Sequence, residues 1–284
     1  MTRATAVAPP HTGGRVDVAV RLGPDSATLH SSYLYGSGAV ASFLTPAVSD
    51  VLVDGTVGFA SLGGATDIVG ADGTVYTTNV SSGSGGIYVL DLSEPNNLRT
   101  LRQVPLSGAG GTRRLFKSGD FLYAAAGFAG LVKVDVTLPA NAAIVGTRAT
   151  SGPAVDVVVA DGLAFVADGA GVLVVDTSRM VQVGRINVAG GAGALALSGG
   201  DLYVGEASSA VLRVFEVRSA AFNQKGTLQL PAVARQLSRE GDRLFASLGT
   251  AAQVSIISIA DPAAPAPAGT LVLQDARGAG WVSA

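Results

Sequence analysis

"GGIYVLDLSEPNNL", residues 85–98, reads as a buried strand running into a tight acidic, proline-containing turn. Close variants return four more times: "AGLVKVDVTLPAN" (129–141), "AGVLVVDTS" (170–178), "SAVLRVFEVRS" (209–219) and "AAQVSIISIADPAAP" (251–265). Two apolar runs precede each copy, as in "TDIVGADGTVYTTN" (66–79), and one follows, as in "LRTLRQVPL" (98–106). The aromatic residue of the second run keeps the beat: Tyr76, Tyr123, Phe165, Tyr203 and Phe245 stand 38–47 residues apart.

Four short apolar runs per unit, at a period near ~40 residues, predict an all-β chain of four-stranded β-propeller blades. Helical repeats of that length need apolar residues at 3.6 spacing and far less glycine. These strands are apolar on both faces, so one blade cannot hide its own surface and stability must come from its neighbours. Composition agrees. Of 284 residues, 48% are hydrophobic, 38 are glycine and only 14% are charged. Short strands between glycine turns give such a mixture.

Five units are complete. "AVASFLTPAV" (39–48) and "GTVGFASL" (55–62) read as the third and outer strands of a further unit, and "DARGAGWVSA" (275–284) as the start of another first strand. A blade shared between the chain ends protects sheet edges, so six blades over residues 37–284, the last composite or truncated, is the favoured count. Five blades, or a larger ring, are the alternatives.

The third-strand runs "IYVLDLSEP", "LVKVDVTLP", "VLVVDTS", "VLRVFEV" and "VSIISIADP" resemble the LVIVD-repeat propellers of bacterial and archaeal surface proteins. The resemblance is closer in the first three repeats than in the last two, where Glu216 and Ser258 stand at the Asp position. Residues 1–36 do not fit the repeat. Val16, Val18 and Val20 alternate along a strand, a Gly-Pro-Asp-Ser turn follows, and a second strand ends in Tyr33 and Tyr35. This short β-hairpin segment resembles the C-terminal part of an IPT/TIG immunoglobulin-like domain. Two or three strands close no sandwich core, so either the segment continues a domain of a longer protein or it docks on the propeller. Together the resemblances imply an extracellular or cell-surface module, monomeric within a longer multidomain protein.

A net charge of −2 argues against broad attraction to nucleic acid or an anionic membrane. No apolar run approaches the ~18 residues of a spanning helix, and residues 1–14 hold no apolar segment of the kind a secretory signal carries. There is no cysteine, which excludes disulfides, thiolate zinc sites and cysteine nucleophiles. The two histidines, His11 and His30, both precede the repeats. The propeller therefore has no histidine for a Ser-His-Asp triad or a histidine metal site, and neither cofactor nor metal is expected. D-x-D-x-D-G calcium loops and phosphate-binding glycine loops are absent as well.

Carboxylates recur in columns. Asp91, Asp135, Asp176 and Glu216 end the third strands, where they would accept backbone N–H bonds of the following turn. Asn79, Asp168 and Glu206 follow the second strands, with Ala126 and Leu248 at the same place, again suggesting turn chemistry. At the start of the first strand, which lines a propeller's channel, the aligned residues are Asp67, Arg113, Asp156, Ala194 and Gln236, with Arg114 and Arg235 adjacent. This column varies in charge from blade to blade. It would either hold a polar ligand at the channel mouth or satisfy itself as an ion-pair network. The expected function is a non-catalytic surface module with a protein or glycan partner on a loop face. The alternative is a hydrolase or lactonase-like propeller using channel carboxylates with a divalent metal.

Overall fold

The computed structural model describes residues 14–22, 25–35, 66–71, 73–79, 86–93, 99–106, 111–219, 221–249 and 253–272. The chain divides into two compact units, residues 1–58 and 59–284. In the first, β1 (Gly14–Leu22) and β2 (Asp25–Tyr35) pair as an antiparallel hairpin from Gly14↔Tyr35 to Leu22↔Asp25, with a register shift between Val16 and Val18.

Among its described residues the second unit is a β-propeller-like repeat of five four-stranded antiparallel sheets, each an up-and-down meander. The first blade is β3 (Ile68–Ala71), β4 (Thr74–Asn79), β5 (Gly86–Asp91) and β6 (Arg99–Pro105). The second is β7 (Arg114–Ser118), β8 (Phe121–Ala125), β9 (Leu131–Asp135) and β10 (Ala143–Arg148), with a 3-10 turn at Pro139–Asn141. The third is β11 (Asp156–Ala160), β12 (Leu163–Ala167), β13 (Gly171–Asp176) and β14 (Val181–Asn187). The fourth is β15 (Ala192–Ser198), β16 (Asp201–Glu206), β17 (Val211–Glu216) and β18 (Gln224–Gln229). The fifth is β19 (Ala234–Glu240), β20 (Arg243–Leu248), β21 (Gln253–Ser258) and β22 (Ala266–Val272). Left-handed pairs such as Asp161–Gly162 (φ 51° and 75°) and Gly199–Gly200 (φ 59° and 91°) make the tight turns between first and second strands.

The core lies between blades rather than within them. One cluster joins Tyr76, Ile87 and Val89 of the first blade to Leu115, Leu122 and Val134 of the second. A second joins Tyr123 and Leu131 to Val157, Val166 and Leu173. A third joins Phe165 and Val174 to Leu195, Leu202 and Val204. The last joins Tyr203 and Val214 to Leu237, Leu244 and Ile257. Thus the periodic aromatic of each of the first four blades is buried against the next blade, while Phe245 of the fifth is only half-buried. Innermost strands touch in chain order, β3 on β7, β7 on β11, β11 on β15 and β15 on β19. The five described sheets do not close a ring by themselves. The sixth blade expected from residues 39–48, 55–62 and 275–284 falls outside the described residues.

A second interlock runs along the outer strands. Gly146, Gly184 and Gly226 occupy equivalent places beyond a register shift. A Cβ at Gly146 would lie 2.6 Å from Met180 Cγ, at Gly184 2.5 Å from a Phe222 ring carbon, and at Gly226 2.6 Å from the Pro262 carbonyl oxygen. In each case the turn after the next blade's third strand reaches over the glycine. Met180 and Phe222 adopt left-handed φ values of 54° and 48° there, a conformation unfavourable for such residues.

Candidate channel-mouth site

The first strands present one equivalent residue per blade. β7 pairs Arg114 with Ala125, β11 pairs Asp156 with Ala167, β15 pairs Ala194 with Gly205 and β19 pairs Gln236 with Ser247. Asp67 takes the same place opposite Thr78, whose N–H it accepts at its carbonyl. The column is therefore Asp67, Arg114, Asp156, Ala194 and Gln236. Arg113, aligned with it on sequence, stands one residue earlier. There it shares its position with Thr66, Val155, Gly193 and Arg235. Arg235 and Gly193 sit where β19 and β15 each make a register shift, and Arg113 and Arg235 are exposed.

Three column residues form a buried network. Asp67 is 6% exposed and Asp156 3%. Asp67 Oδ2 accepts the Leu115 N–H at 2.7 Å, and Asp156 Oδ2 accepts the Leu195 N–H at 2.8 Å. Each carboxylate thus ties its own blade to the first strand of the next. Asp156 Oδ1 also accepts the Val157 N–H at 2.8 Å. Arg114 lies between the carboxylates, 3.6 Å from Asp67 Oδ1 through Nη1 and 3.4 Å from Asp156 Oδ1 through Nε. Burial pushes the Asp156 carboxyl up to about 6, against the lowering influence of Arg114 and the two N–H bonds, while Asp67 adds to the rise. Gln236 is buried in the fifth blade.

Above this network opens a cavity of about 280 Å³. Thr66, Arg113, Arg114, Val155 and Arg235 line it, with Gly169, Ala192, Gly193, Ala207, Val233 and Ala234. Neither Asp67 nor Asp156 is among these residues. Glycine at 249 lets the Arg235 side chain lie across that turn, because a Cβ there would stand 2.4 Å from Arg235 Nε.

The other two carboxylate columns serve turns and linkers. Asp91, Asp135 and Asp176 each accept the N–H two residues ahead at 2.9 Å. Side-chain bonds from Ser93, Thr137 and Ser178 hold all three below the usual carboxylate range. Asp168 takes two bonds from Arg185, at 2.9 and 2.7 Å, and one from the Ser151 N–H at 3.1 Å, which pins the linker entering its blade. Burial would raise the Glu206 carboxyl, but bonds from Ser209 and Arg213 outweigh it and hold it low. Among the described residues, no three of His, Cys, Asp or Glu gather as a metal site would need. His30 lies on β2, and His11 lies outside the described residues.

Residues 109–150 and 151–185, the second and third blades, match the LVIVD repeat. A search of curated proteins found no match. Among solved structures, the chain is similar to the crystal structure of the computationally designed Ika8 protein, with a TM-score of 0.55 and 12% sequence identity. The likeness covers 69% of this chain and 59% of that one, so the chain spans less than two thirds of that structure. It bears on the fold alone.

Proposed function

We propose that the chain is a non-catalytic display and binding module, held at a cell surface or secreted, whose propeller-like disc offers one loop face to a protein or glycan partner. The observation that carries this reading is the division of labour at the channel mouth. The buried carboxylates are committed to joining blades, while the cavity above them is lined by arginines and small residues. That is a surface for holding a group rather than for moving a proton. The LVIVD match in blades two and three and the IPT/TIG-like residues 9–35 support a monomeric module within a longer surface protein.

Asp156 favours a second reading. A buried carboxyl raised to about 6 is the kind of group a hydrolase uses as acid or base. The two are separated by incubating the purified chain with lactone and ester substrates, measuring its bound metal, and capturing partners from an envelope extract with the immobilised chain. The module reading expects saturable capture of a defined protein or glycan without turnover. Turnover abolished by Asp156→Asn, with a stoichiometric divalent ion, would replace it.

A further inference from the structure

We infer that the channel-mouth cavity is a carboxylate-binding site for an acidic peptide chain, with Arg113 and Arg235 as the recognising groups. This rests on the binding-module reading and names the chemistry of its partner.

The repeat itself singles out the two arginines. Positions that serve the blade recur from blade to blade: the interface aromatic, the turn aspartate, the outer-strand glycine. The residue just before the column does not recur. It is Thr66, Arg113, Val155, Gly193 and Arg235 in turn, so the fold asks for no particular side chain there. Two of these five positions nonetheless carry an exposed guanidinium at one cavity. Elsewhere Arg99, Arg179, Arg185 and Arg213 each face a carboxylate. Among the described residues neither the Arg113 nor the Arg235 guanidinium has a partner. Among the described residues the one other cation lining the cavity, Arg114, is already held between Asp67 and Asp156.

The lining then selects the ligand. Among the described residues no carboxylate lines the cavity to repel an anion, and Asp67 and Asp156 are turned into backbone and Arg114 bonds. The volume, about 280 Å³, falls just under the range of drug-sized ligand sites and suits the end of one side chain. Guanidinium forks match a planar carboxylate with two parallel bonds. Among the described residues no aromatic ring lines the cavity, so they offer a sugar ring no face to stack on. An extended acidic peptide can insert a Glu or Asp side chain and run on across the loop face.

The test uses the full chain and a fluorescein-labelled hexaglutamate peptide, read by anisotropy. Hexaglutamine and a hyaluronan hexasaccharide serve as neutral-peptide and uronate-glycan comparisons. Arg113→Ser with Arg235→Ser should weaken hexaglutamate binding at least tenfold at an unchanged melting temperature. A charge-matched pair, Arg99→Ser with Arg243→Ser, should bind as the parent does. Equal binding by the Arg113/Arg235 double variant, tighter binding of the hexasaccharide, or no saturable binding of hexaglutamate would overturn the inference. Partner capture from the envelope extract that survives the double variant would overturn the mouth site and leave the module reading standing.

Discussion

Replacing Arg114 by methionine separates a structural ion network from a ligand site. Methionine keeps much of the aliphatic stem and removes the charge. In the native chain one guanidinium, 14% exposed, stands 3.6 and 3.4 Å from two carboxylates that are 4% and 5% exposed in their side chains. Without it, two like charges remain buried together. Removing one partner of a buried pair typically costs about 3–5 kcal/mol. For a domain of this size each kcal/mol moves the melting temperature by roughly 2–4 °C, so a fall of about 6–20 °C at pH 7 is expected. The loss should shrink at pH 5, because Asp156 can take up a proton and cancel one of the stranded charges. Asp67→Asn and Asp156→Asn added to Arg114→Met should recover most of the loss, since each amide oxygen can still accept the N–H of Leu115 or Leu195. Thermal and urea melts followed by circular dichroism at both pH values read all of this. A methionine variant within about 0.5 kcal/mol of the parent at pH 7, or one with the same deficit at pH 5, would refute the structural account.

Three further outcomes follow from the same contacts. In the parent chain the Asp156 carboxyl is raised from 3.8 to about 6, so between those values the folded state keeps a proton that the unfolded state gives up. Stability should therefore fall by about 3 kcal/mol as pH rises through that window, and Asp156→Asn should flatten this limb of a melting-temperature profile. Asp91, Asp135, Asp176 and Glu206 are held low; their contribution is present above the ordinary carboxylate range and disappears on further acidification, giving the profile its acid limb in parent and variant alike. Gly226→Ala meets a backbone carbonyl and Gly146→Ala a side-chain carbon, Met180 Cγ, that can turn aside, so denaturant melts should show about 1–3 kcal/mol lost at Gly226 and less at Gly146. Asp168→Ala strips partners from Arg185 and the Ser151 N–H and should cost ~3 kcal/mol, with hydrogen exchange accelerated first in the linker around Ser151.

The blades were legible because their physics is periodic. A sheet buried on both faces needs unbroken apolar strands, and turns between short strands need Gly, Asp or Pro. Both demands repeat at every unit, so even the role of Asp91, Asp135 and Asp176 could be read from position. At the strand start of the second blade the structure puts Arg114 where the sequence suggests Arg113, because "TRRLF" offers two arginines and nothing local chooses between them. The signal that chooses is distant: nine residues before the periodic aromatic stand Asp67, Arg114, Asp156, Ala194 and Gln236. The outer-strand glycines carry no local signal for a different reason. Glycine is common throughout this chain, and the need for these particular ones comes from Met180, Phe222 and Pro262 of the following blade.

Those same contacts bear on how the row of sheets continues. In the first four blades the aromatic of the second strand is covered by the next blade, and the outer glycines at 146, 184 and 226 each receive its third-strand turn. The fifth blade carries both devices, Phe245 and Gly269, yet Phe245 is half-buried and the nearest atoms to a Cβ at Gly269 belong to Ile256 of its own sheet. A repeat built to be covered on this side calls for a further blade there. Phe245→Ala measures that cover. If a sixth blade seats on it, the substitution should cost about 3–5 kcal/mol, as for a buried aromatic. A loss below about 1 kcal/mol in a urea melt would mean that the fifth blade ends the stack and that its side chain faces solvent.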